Sequence, residues 1–478
     1  MSDDDGWLRL HPLSVLVNLL PRLWATARSL WPLLLAWAFG RVSGAAVFDL
    51  AILAMFLLPA VFGTAVHWAT LRYRLRGDQL EIDTGLLRRT HRSIARDRVQ
   101  NVEVVRNVFH RLAGLAEVRV ETASGTEVEG LLSALSVAEA EALVLALRPS
   151  SPPASDDVPE TPAPAVELLA QPSVVDLLWT GATGLRLATV GVALGFAVQL
   201  LGERAGPSGA DMTAVARGAG LLQSLAIVAL VGASGFWVSV ATTFLRHAGF
   251  RLEARGERLS VEEGLFTRRR TELPRDRVQL VTFEQGLVRR WLGFGVLSLE
   301  TAAARQEGDG TERSSARVPW VADADVAALI ARVLPAGTDP ADLSLSRPHP
   351  SAGPRAAAVA GVLAVAAAGV ASWLFGPVGA VALLGVPFAA GVAWQTASHQ
   401  RWAVTEDLVV TRTGWLSHQT SLVPRPKIQS VATFASPLLQ RAGLARLTVR
   451  IAGRALVLPL MEREVADDLL VRLSRHPG

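Results

Sequence analysis

The sequence predicts a membrane α+β protein: six transmembrane helices in three hairpins, alternating with three small β-barrel modules, each closed by a C-terminal helix. Three observations predict it. Half of the 478 residues are apolar, more than an ordinary water-soluble chain carries. Those apolar residues gather into long stretches that come in pairs. Between the pairs, "IARDRVQNVEVVRNVFHRLAGLAEVRV" (Ile94–Val120) returns as "LPRDRVQLVTFEQGLVRRWLGFGVLSL" (Leu273–Leu299) and, more loosely, as "VPRPKIQSVATFASPLLQRAGLARLTV" (Val423–Val449).

The spans come first. A helix needs about 20 mostly apolar residues to cross a bilayer core. Leu23–Gly40 and Ala45–Trp68 form the first pair, Leu187–Leu201 and Gly218–Leu245 the second, Arg355–Phe375 and Val378–Ser398 the third. Any one could be the buried helix of a soluble core, but six in regular pairs argue against that. Basic residues flank the outer ends of each pair: Arg9, Arg22, Arg28, Arg72, Arg74 and Arg76, then Arg186 and Arg246, then Arg347, Arg355 and Arg401. The connections inside the pairs carry only Arg41, Arg204 and Arg217, so the positive-inside rule places every soluble segment and both termini in the cytoplasm. The opening "MSDDDGWLRLHPLS" shows no signal-peptide cleavage pattern. Asp49 lies within a turn of the outer interface and reads as water-accessible, not as part of an ion path.

Each soluble module reads as short strands and one closing helix, a small antiparallel β-barrel or sandwich plugged by that helix. Aligning Gly85, Gly264 and Gly414 brings the three into register through "DTGLL", "EEGLF" and "RTGWL", where glycine suits a positive-φ turn. A basic strand and the R-x-R-V-Q segment follow. A helical turn then begins at the caps Asn107 or Ser436, with Pro437 in the first turn, and ends at Gly114, Gly293 and Gly443. An alternating strand leads to a helix with apolar faces Val137–Ala140–Val144–Leu147, Val326–Leu329–Ile330–Val333 and Val465–Leu469–Leu473. "RPSSPPASDDVPETPAPAV" has the composition of a disordered linker. "RLHPLSVLVNLL" (Arg9–Leu20), "LLAQPSVVDLLW" (Leu168–Trp179) and "LSRPHPS" rhyme ahead of the hairpins, the first two as amphipathic surface helices. The chain thus divides into an N-terminal interfacial segment (1–22), hairpin one (23–69), module one (70–148), a disordered linker (149–166) and an interfacial segment (167–186). Hairpin two (187–245), module two (246–336), a linker (337–354), hairpin three (355–398) and module three (399–476) follow.

With "RDRVQNVEVVRNVFHRLAGLAEVRVETA" and "RDRVQLVTFEQGLVRRWLGFGVLSLETA", the chain resembles the YdbT-like family of bacterial pleckstrin-homology (PH) membrane proteins. Module three keeps Ile428–Gln429–Ser430–Val431 and Ala442–Gly443–Leu444. It has Pro426–Lys427 for Asp-Arg and Arg450–Ile451–Ala452 for Glu-Thr-Ala, which makes its ligand face the least transferable. The resemblance implies a PH-like barrel for each module and residence in the bacterial cytoplasmic membrane. It says little about activity, because PH-like barrels elsewhere bind either headgroups or peptides.

Function rests on the arginines. Net charge is only +4, so any anion binding must come from local clusters. The candidate membrane- or ligand-facing set is Arg88, Arg89, Arg92, Arg96 and Arg98, then Arg268, Arg269, Arg270, Arg275 and Arg277, and more weakly Arg412, Arg425 and Lys427. The competing reading pairs them with Asp97, Glu103, Glu272 or Asp276 on a solvated strand face. Gln100, Gln279 and Gln429 recur at one register and read as side-chain amides bonding nearby backbone. Phe109 and Trp291 read as lids on the barrel core.

No cysteine is present, the nine histidines do not recur in register, and H-E-x-x-H, P-loop, G-x-S-x-G and paired-carboxylate patterns are absent. The expectation is therefore a non-enzymatic membrane scaffold without cofactor or metal. It would engage the lipid bilayer and its anionic headgroups, a small one-module PH-like partner, or itself. Envelope homeostasis or resistance to membrane-active peptides is the role the resemblance suggests. Nucleic acid is not expected, for want of a base-stacking aromatic stripe. The alternative, a transporter or export-complex component, would need polar residues in spans that read as Ala, Val, Leu and Gly.

Overall fold

The structure is a computed structural model that describes residues 7–15, 61–66, 68–86, 89–122, 130–147, 166–184, 220–301, 316–334 and 344–474, with isolated positions 17, 19, 55 and 58. The first helices of hairpins one and two, Asp49, Arg88 and the proline-rich linker lie outside the described residues. The chain divides into two compact units, residues 1–167 with 254–274, and residues 168–253 with 275–478.

In the first unit, β1 (Leu8–Arg9), β2 (Arg72–Arg76), β3 (Gln79–Thr84) and β4 (Thr90–Ala95) form one antiparallel sheet in that order. After a 3₁₀ turn at Arg96–Arg98 come β5 (Val99–Arg106), the short helix α1 (Val108–Leu112), β6 (Leu115–Thr122), β7 (Gly130–Ser136) and helix α2 (Val137–Ala146). Alternation makes the core: Tyr73, Leu80, Ile82 and Ile94 from one sheet pack in one buried cluster with Val102, Val118, Val120 and Leu132 from the other, and Leu71 just ahead of β2 joins them. Ala140, Leu143, Val144 and Leu147 of α2 join that cluster. The helix starts with a capping box. Ser136 Oγ accepts from the Glu139 N–H at 3.2 Å, and Glu139 Oε2 accepts from the Ser136 N–H at 2.9 Å.

Leu8 and Arg9 pair with Tyr73 and Arg72 in the sheet, so this end of the first rhyming segment is an added strand and not a surface helix. Ser346 bridges to Trp402 at the matching place in module three. The segments rhyme because each hands an edge to the strand that follows its hairpin. The second rhyme differs too: Leu168 lies in strand β8 (Val166–Ala170), and helix α3 begins only at Val174 and runs to Ala182.

Helix α4 (Gly220–His247), strand β9 (Arg251–Arg255), β10 (Arg258–Glu263) and β11 (Arg268–Pro274) come next. The predicted modules do not each close on themselves. β11 pairs with β5 of the preceding module, Arg268 facing Arg106 and Glu272 facing Val102, which gives the first unit the strand order β7-β6-β5-β11-β10.

The second unit repeats the joint. Its strands are β12 (Val278–Gln285), β13 (Phe294–Thr301) and β14 (Ala316–Ala322), with the short helix α5 (Leu287–Trp291) and the closing helix α6 (Val326–Val333). Helices α7 (Ala352–Phe375) and α8 (Gly385–Ser398) follow, then β15 (Arg401–Val404), β16 (Leu408–Thr413) and β17 (His418–Pro424). β12 pairs with β17, Gln285 facing His418, so the sheet runs β14-β13-β12-β17-β16-β15. Gln285 and His418 are the repeat equivalents of Arg106 and Arg268, so the two joints share one register. The chain ends with β18 (Ser430–Phe434), the short helix α9 (Pro437–Arg441), β19 (Leu444–Ile451), β20 (Arg454–Val457), β21 (Met461–Glu462) and helix α10 (Arg463–Ser474). Among the described strands none of these orders returns to its first strand: the sheets are shared between modules, and closure of each module into the PH-like barrel that the resemblance implies is not shown.

Two helices among the described residues are long and apolar enough to cross a membrane, Ala352–Leu374 and Gly379–Ser398. They expose Val359, Val362, Leu363 and Trp373, and Phe388 and Trp394. They meet at Gly353, where a Cβ would fall 2.3 Å from Ser398 Oγ.

Candidate membrane-facing site

The predicted arginines have mixed surroundings. Arg96 binds Asp78 at 3.0 Å, Arg269 binds the buried Glu103 at 2.5 Å, and Arg270 binds Glu272 at 3.0 Å. Arg277 lies 3.7 Å from Asp276, and Arg425 donates to the carbonyls of Glu406 and Arg472. Lys427 and Arg275 are half-buried in 3₁₀ turns. Arg89, Arg92, Arg98 and Arg268 are exposed. A cavity of about 390 Å³ in the first unit is lined by Val104, Val144, Arg106, Arg268, Arg270 and Glu262.

Among the repeated glutamines, Gln279 Oε1 accepts the Ala452 N–H at 3.1 Å, and its strand carries a register shift between Val278 and Leu280. β5 shifts at the same place, between Val99 and Asn101, around Gln100. Gln429 is exposed, and its backbone N–H donates to Arg450 O at 2.8 Å. Gly114, Gly293 and Gly443 end the short helices with φ of 68°, 73° and 64°, a region that strains any residue with a Cβ.

Those short helices present apolar residues to the outside. Trp291 is 87% exposed and Phe109 41%, so Trp291 does not cap a core and Phe109 does so only in part. Leu112, Leu287, Val288 and Leu438 are exposed as well, and so are Leu86, Leu265, Phe266 and Leu416 of the glycine turns. Helix and turn are tied across each joint by one bond, Arg111 to Leu265 O at 3.0 Å in the first unit and Arg290 to Trp415 O at 3.1 Å in the second. These two arginines hold matching places in the repeat, which fastens two greasy loops into one tip.

In the second unit the tip stands at the base of the helices. Arg289 of α5 donates to Thr183 Oγ1 at 3.0 Å and Thr180 O at 3.2 Å, at the end of α3. Ser239 Oγ on α4 donates to Gly181 O at 2.8 Å. Gly181 allows this closeness, since a Cβ there would lie 2.7 Å from Val240 Cα.

Five basic groups gather at the end of α8: Arg290, His399, Arg401, Arg412 and His418. Arg401 stands directly opposite Arg412 in the β15–β16 ladder, an arrangement that costs free energy by itself. Arg401 is held by Ser398 O at 2.9 Å and Gln400 O at 2.7 Å, and Arg412 Nε donates to Thr420 Oγ1 at 3.1 Å. Burial, then Arg290, Arg412, His399 and Arg401, push the His418 imidazolium down to a pKa of about 4. Burial, Arg290 and Arg401 also lower Arg412, against the opposing pull of Asp323. That carboxylate already accepts from Gln285 Nε2 at 2.5 Å. The repeat supplies its own control: in module one the same two ladder positions are Arg72 and Asp83, a compensated pair. Module three has arginine where the fold accepts an acid, so the like-charge contact is not something the sheet requires.

Sequence reasoning named Arg401 as a flank and Arg412 as a weak candidate, and it missed His399, His418 and Arg290. The signal was the change from Asp83 to Arg412 at one register, which only the strand pairing turns into a like-charge contact.

The profile described as "Bacterial PH domain" matches residues 30–150, 191–336 and 357–476, one match for each module with the apolar sequence before it. The chain belongs to this bacterial PH domain family. It is 23% identical over 323 residues to the UPF0699 transmembrane protein YdbT of Bacillus subtilis (strain 168), a match covering 63% of this chain and 64% of that protein, just under two thirds of its length. No solved structure matches the chain. Membership accounts for the three-fold repetition of strand, turn and short helix. The groups at the end of α8 are specific to the third repeat of this PH-domain protein.

Proposed function

We propose that this chain is a multi-pass scaffold of the bacterial cytoplasmic membrane. Six spans in three hairpins hold the modules on the cytoplasmic side, and the third module grips anionic phospholipid headgroups. It carries out no reaction; its work is to bind and position. The observation that carries this reading is the set of basic groups at the end of α8, one residue beyond an apolar helix, with the exposed Trp291–Leu416 tip tied to it through Arg290. A basic residue near an anionic leaflet gains on the order of 1 kcal/mol. Apolar side chains beside it gain by entering the interface, where Trp is favoured.

The cysteine-free sequence makes topology simple to test. Single substitutions Ser93→Cys, Arg268→Cys and Arg446→Cys place one thiol in each module. In intact cells all three should resist a membrane-impermeant maleimide and react after lysis. Labelling of any one from outside would break the one-sided arrangement. The transporter alternative predicts substrate flux in reconstituted vesicles, which the scaffold does not.

A further inference from the structure

The two joints inside the chain have one form: the first strand of a module's second half accepts, along its edge, the third strand of the next module. β5 accepts β11, with Val105 facing Arg269 and Val102 facing Glu272. β12 accepts β17, with Glu284 facing Gln419 and Val281 facing Leu422. Among the described strands the pattern leaves one half-joint in module one and one in module three. β4 is the third strand of module one, and among the described strands it has a neighbour only on the β3 side. β18 is the accepting strand of module three, and among the described strands it pairs only with β19.

Both edges are open to solvent. His91, Arg92 and Ser93 of β4 are exposed, as are Ser430, Ala432, Thr433 and Phe434 of β18. Proteins ordinarily protect an edge with charge, proline or a covering element. β18 reads Ser-Val-Ala-Thr-Phe, with β-favouring residues, no charge and no proline. The tie across the joint is likewise idle. Gln440 stands where Arg111 and Arg290 reach the next module's turn, and it bends back to Ala435 O at 3.1 Å.

We propose that β18 of one copy accepts β4 of a second copy, so that the chain assembles head to tail by the joint it already uses twice. Carrying the shared register over places Phe434 opposite Thr90, Thr433 opposite His91 and Val431 opposite Ser93. Such a contact is heterologous: each copy keeps one donor and one acceptor edge free, so it builds rows or closed rings in the membrane plane and not isologous dimers. Backbone hydrogen bonds along the added strand supply the attraction, as in other strand-addition complexes.

The test uses the full-length chain in native membranes. Two differently tagged forms are co-expressed, one with Thr90→Cys and one with Phe434→Cys. Directly opposed residues on paired strands lie within disulfide reach. Mild oxidation should give a mixed disulfide dimer and no dimer of either form alone. Ile94→Cys in place of Thr90→Cys moves the thiol about 13 Å along the strand and should abolish the crosslink. Absence of the mixed dimer at Thr90, equal crosslinking at Ile94, or a monomer-sized product in a chain carrying both Thr90→Cys and Phe434→Cys would each overturn the assembly. Topology labelling that succeeds while this crosslink fails would leave the scaffold reading standing and remove only the head-to-tail contact.

Discussion

Replacing Arg412 with aspartate restores at module three the Arg–acid pair that module one carries at Arg72 and Asp83. Turning a like-charge cross-strand contact into an attractive one contributes about 1 kcal/mol. The lost bond from Arg412 Nε to Thr420 Oγ1 removes about as much, so the lipid-free protein should melt almost where the native chain does. The headgroup site fares differently. Changing one positive charge to negative removes the equivalent of two basic residues, about 2 kcal/mol, or about 30-fold in Kd. At a lipid concentration about 100-fold above the native Kd, binding stabilises the native chain by about 2.7 kcal/mol, and the variant by about 0.9 kcal/mol. The assay is thermal unfolding of the full chain in detergent micelles, titrated with short-chain phosphatidylglycerol or with phosphatidylcholine. Phosphatidylglycerol should raise the melting temperature of the native chain about three times as far as that of Arg412→Asp. Arg472→Asp, on the exposed face of α10, should behave as the native chain does. Inorganic phosphate serves as a further arm and separates an anion site from a lipid site. Equal shifts in native and Arg412→Asp protein, or equal shifts with the two lipids, would refute the headgroup site.

Acidification should weaken the second unit through His418. Its folded pKa of about 4 lies below the unfolded value of about 6.5, so the unfolded chain binds the proton first. Stability is fully present above about pH 6.5 and falls as pH drops toward about 4, and His418→Gln should flatten that part of the melting-temperature profile. Gly181→Val pushes side-chain atoms into the Val240 backbone and should cost about 3 kcal/mol, read as a lower melting temperature and less folded protein by size exclusion; unchanged stability would show that α3 and α4 are not in close contact. Arg269→Ala leaves the buried Glu103 with the longer Arg119 contact, at 3.8 Å, and should destabilise more in the native background than in Glu103→Gln. The expected coupling in that double-mutant cycle is about 1–2 kcal/mol, and strict additivity would count against a joint held by charge.

The elements were legible where a local rule governs them. Gly114, Gly293 and Gly443 end a helical turn at positive φ, a conformation glycine adopts without strain, and Asn107 and Ser436 sit where a side-chain oxygen can cap the first N–H groups. The alternation of Val118 and Val120, or of Leu447, Val449 and Ile451, names the buried face without any structure. The same rules failed for Trp291. An aromatic residue among leucines reads as core, and nothing local reveals that Arg290 holds it outward beside the next module's turn. For Arg269 the sequence left two readings open, a membrane-facing side chain or a pair with a carboxylate such as Glu103, and the β5–β11 pairing brings Glu103 to it.

By itself the sequence determined the strands, turns and helices inside the three modules, that they come three times, and that long apolar stretches separate them, but not the strands at Leu8–Arg9 and Val166–Ala170. Those properties depend on backbone preferences and on apolar spacing within a few residues. Tertiary structure decided which edge meets which: β5 with β11, and β12 with β17. Any edge of suitable length offers the same N–H and C=O groups, so the choice of partner leaves no periodic mark in the chain. That choice brought Gln285 opposite His418 and Arg290 near it, and left β4 and β18 at the edges of the described sheets. The approach of Arg290 to the basic groups of module three and the two open edges therefore come from pairing between distant strands, while Arg401 faces Arg412 through a local hairpin.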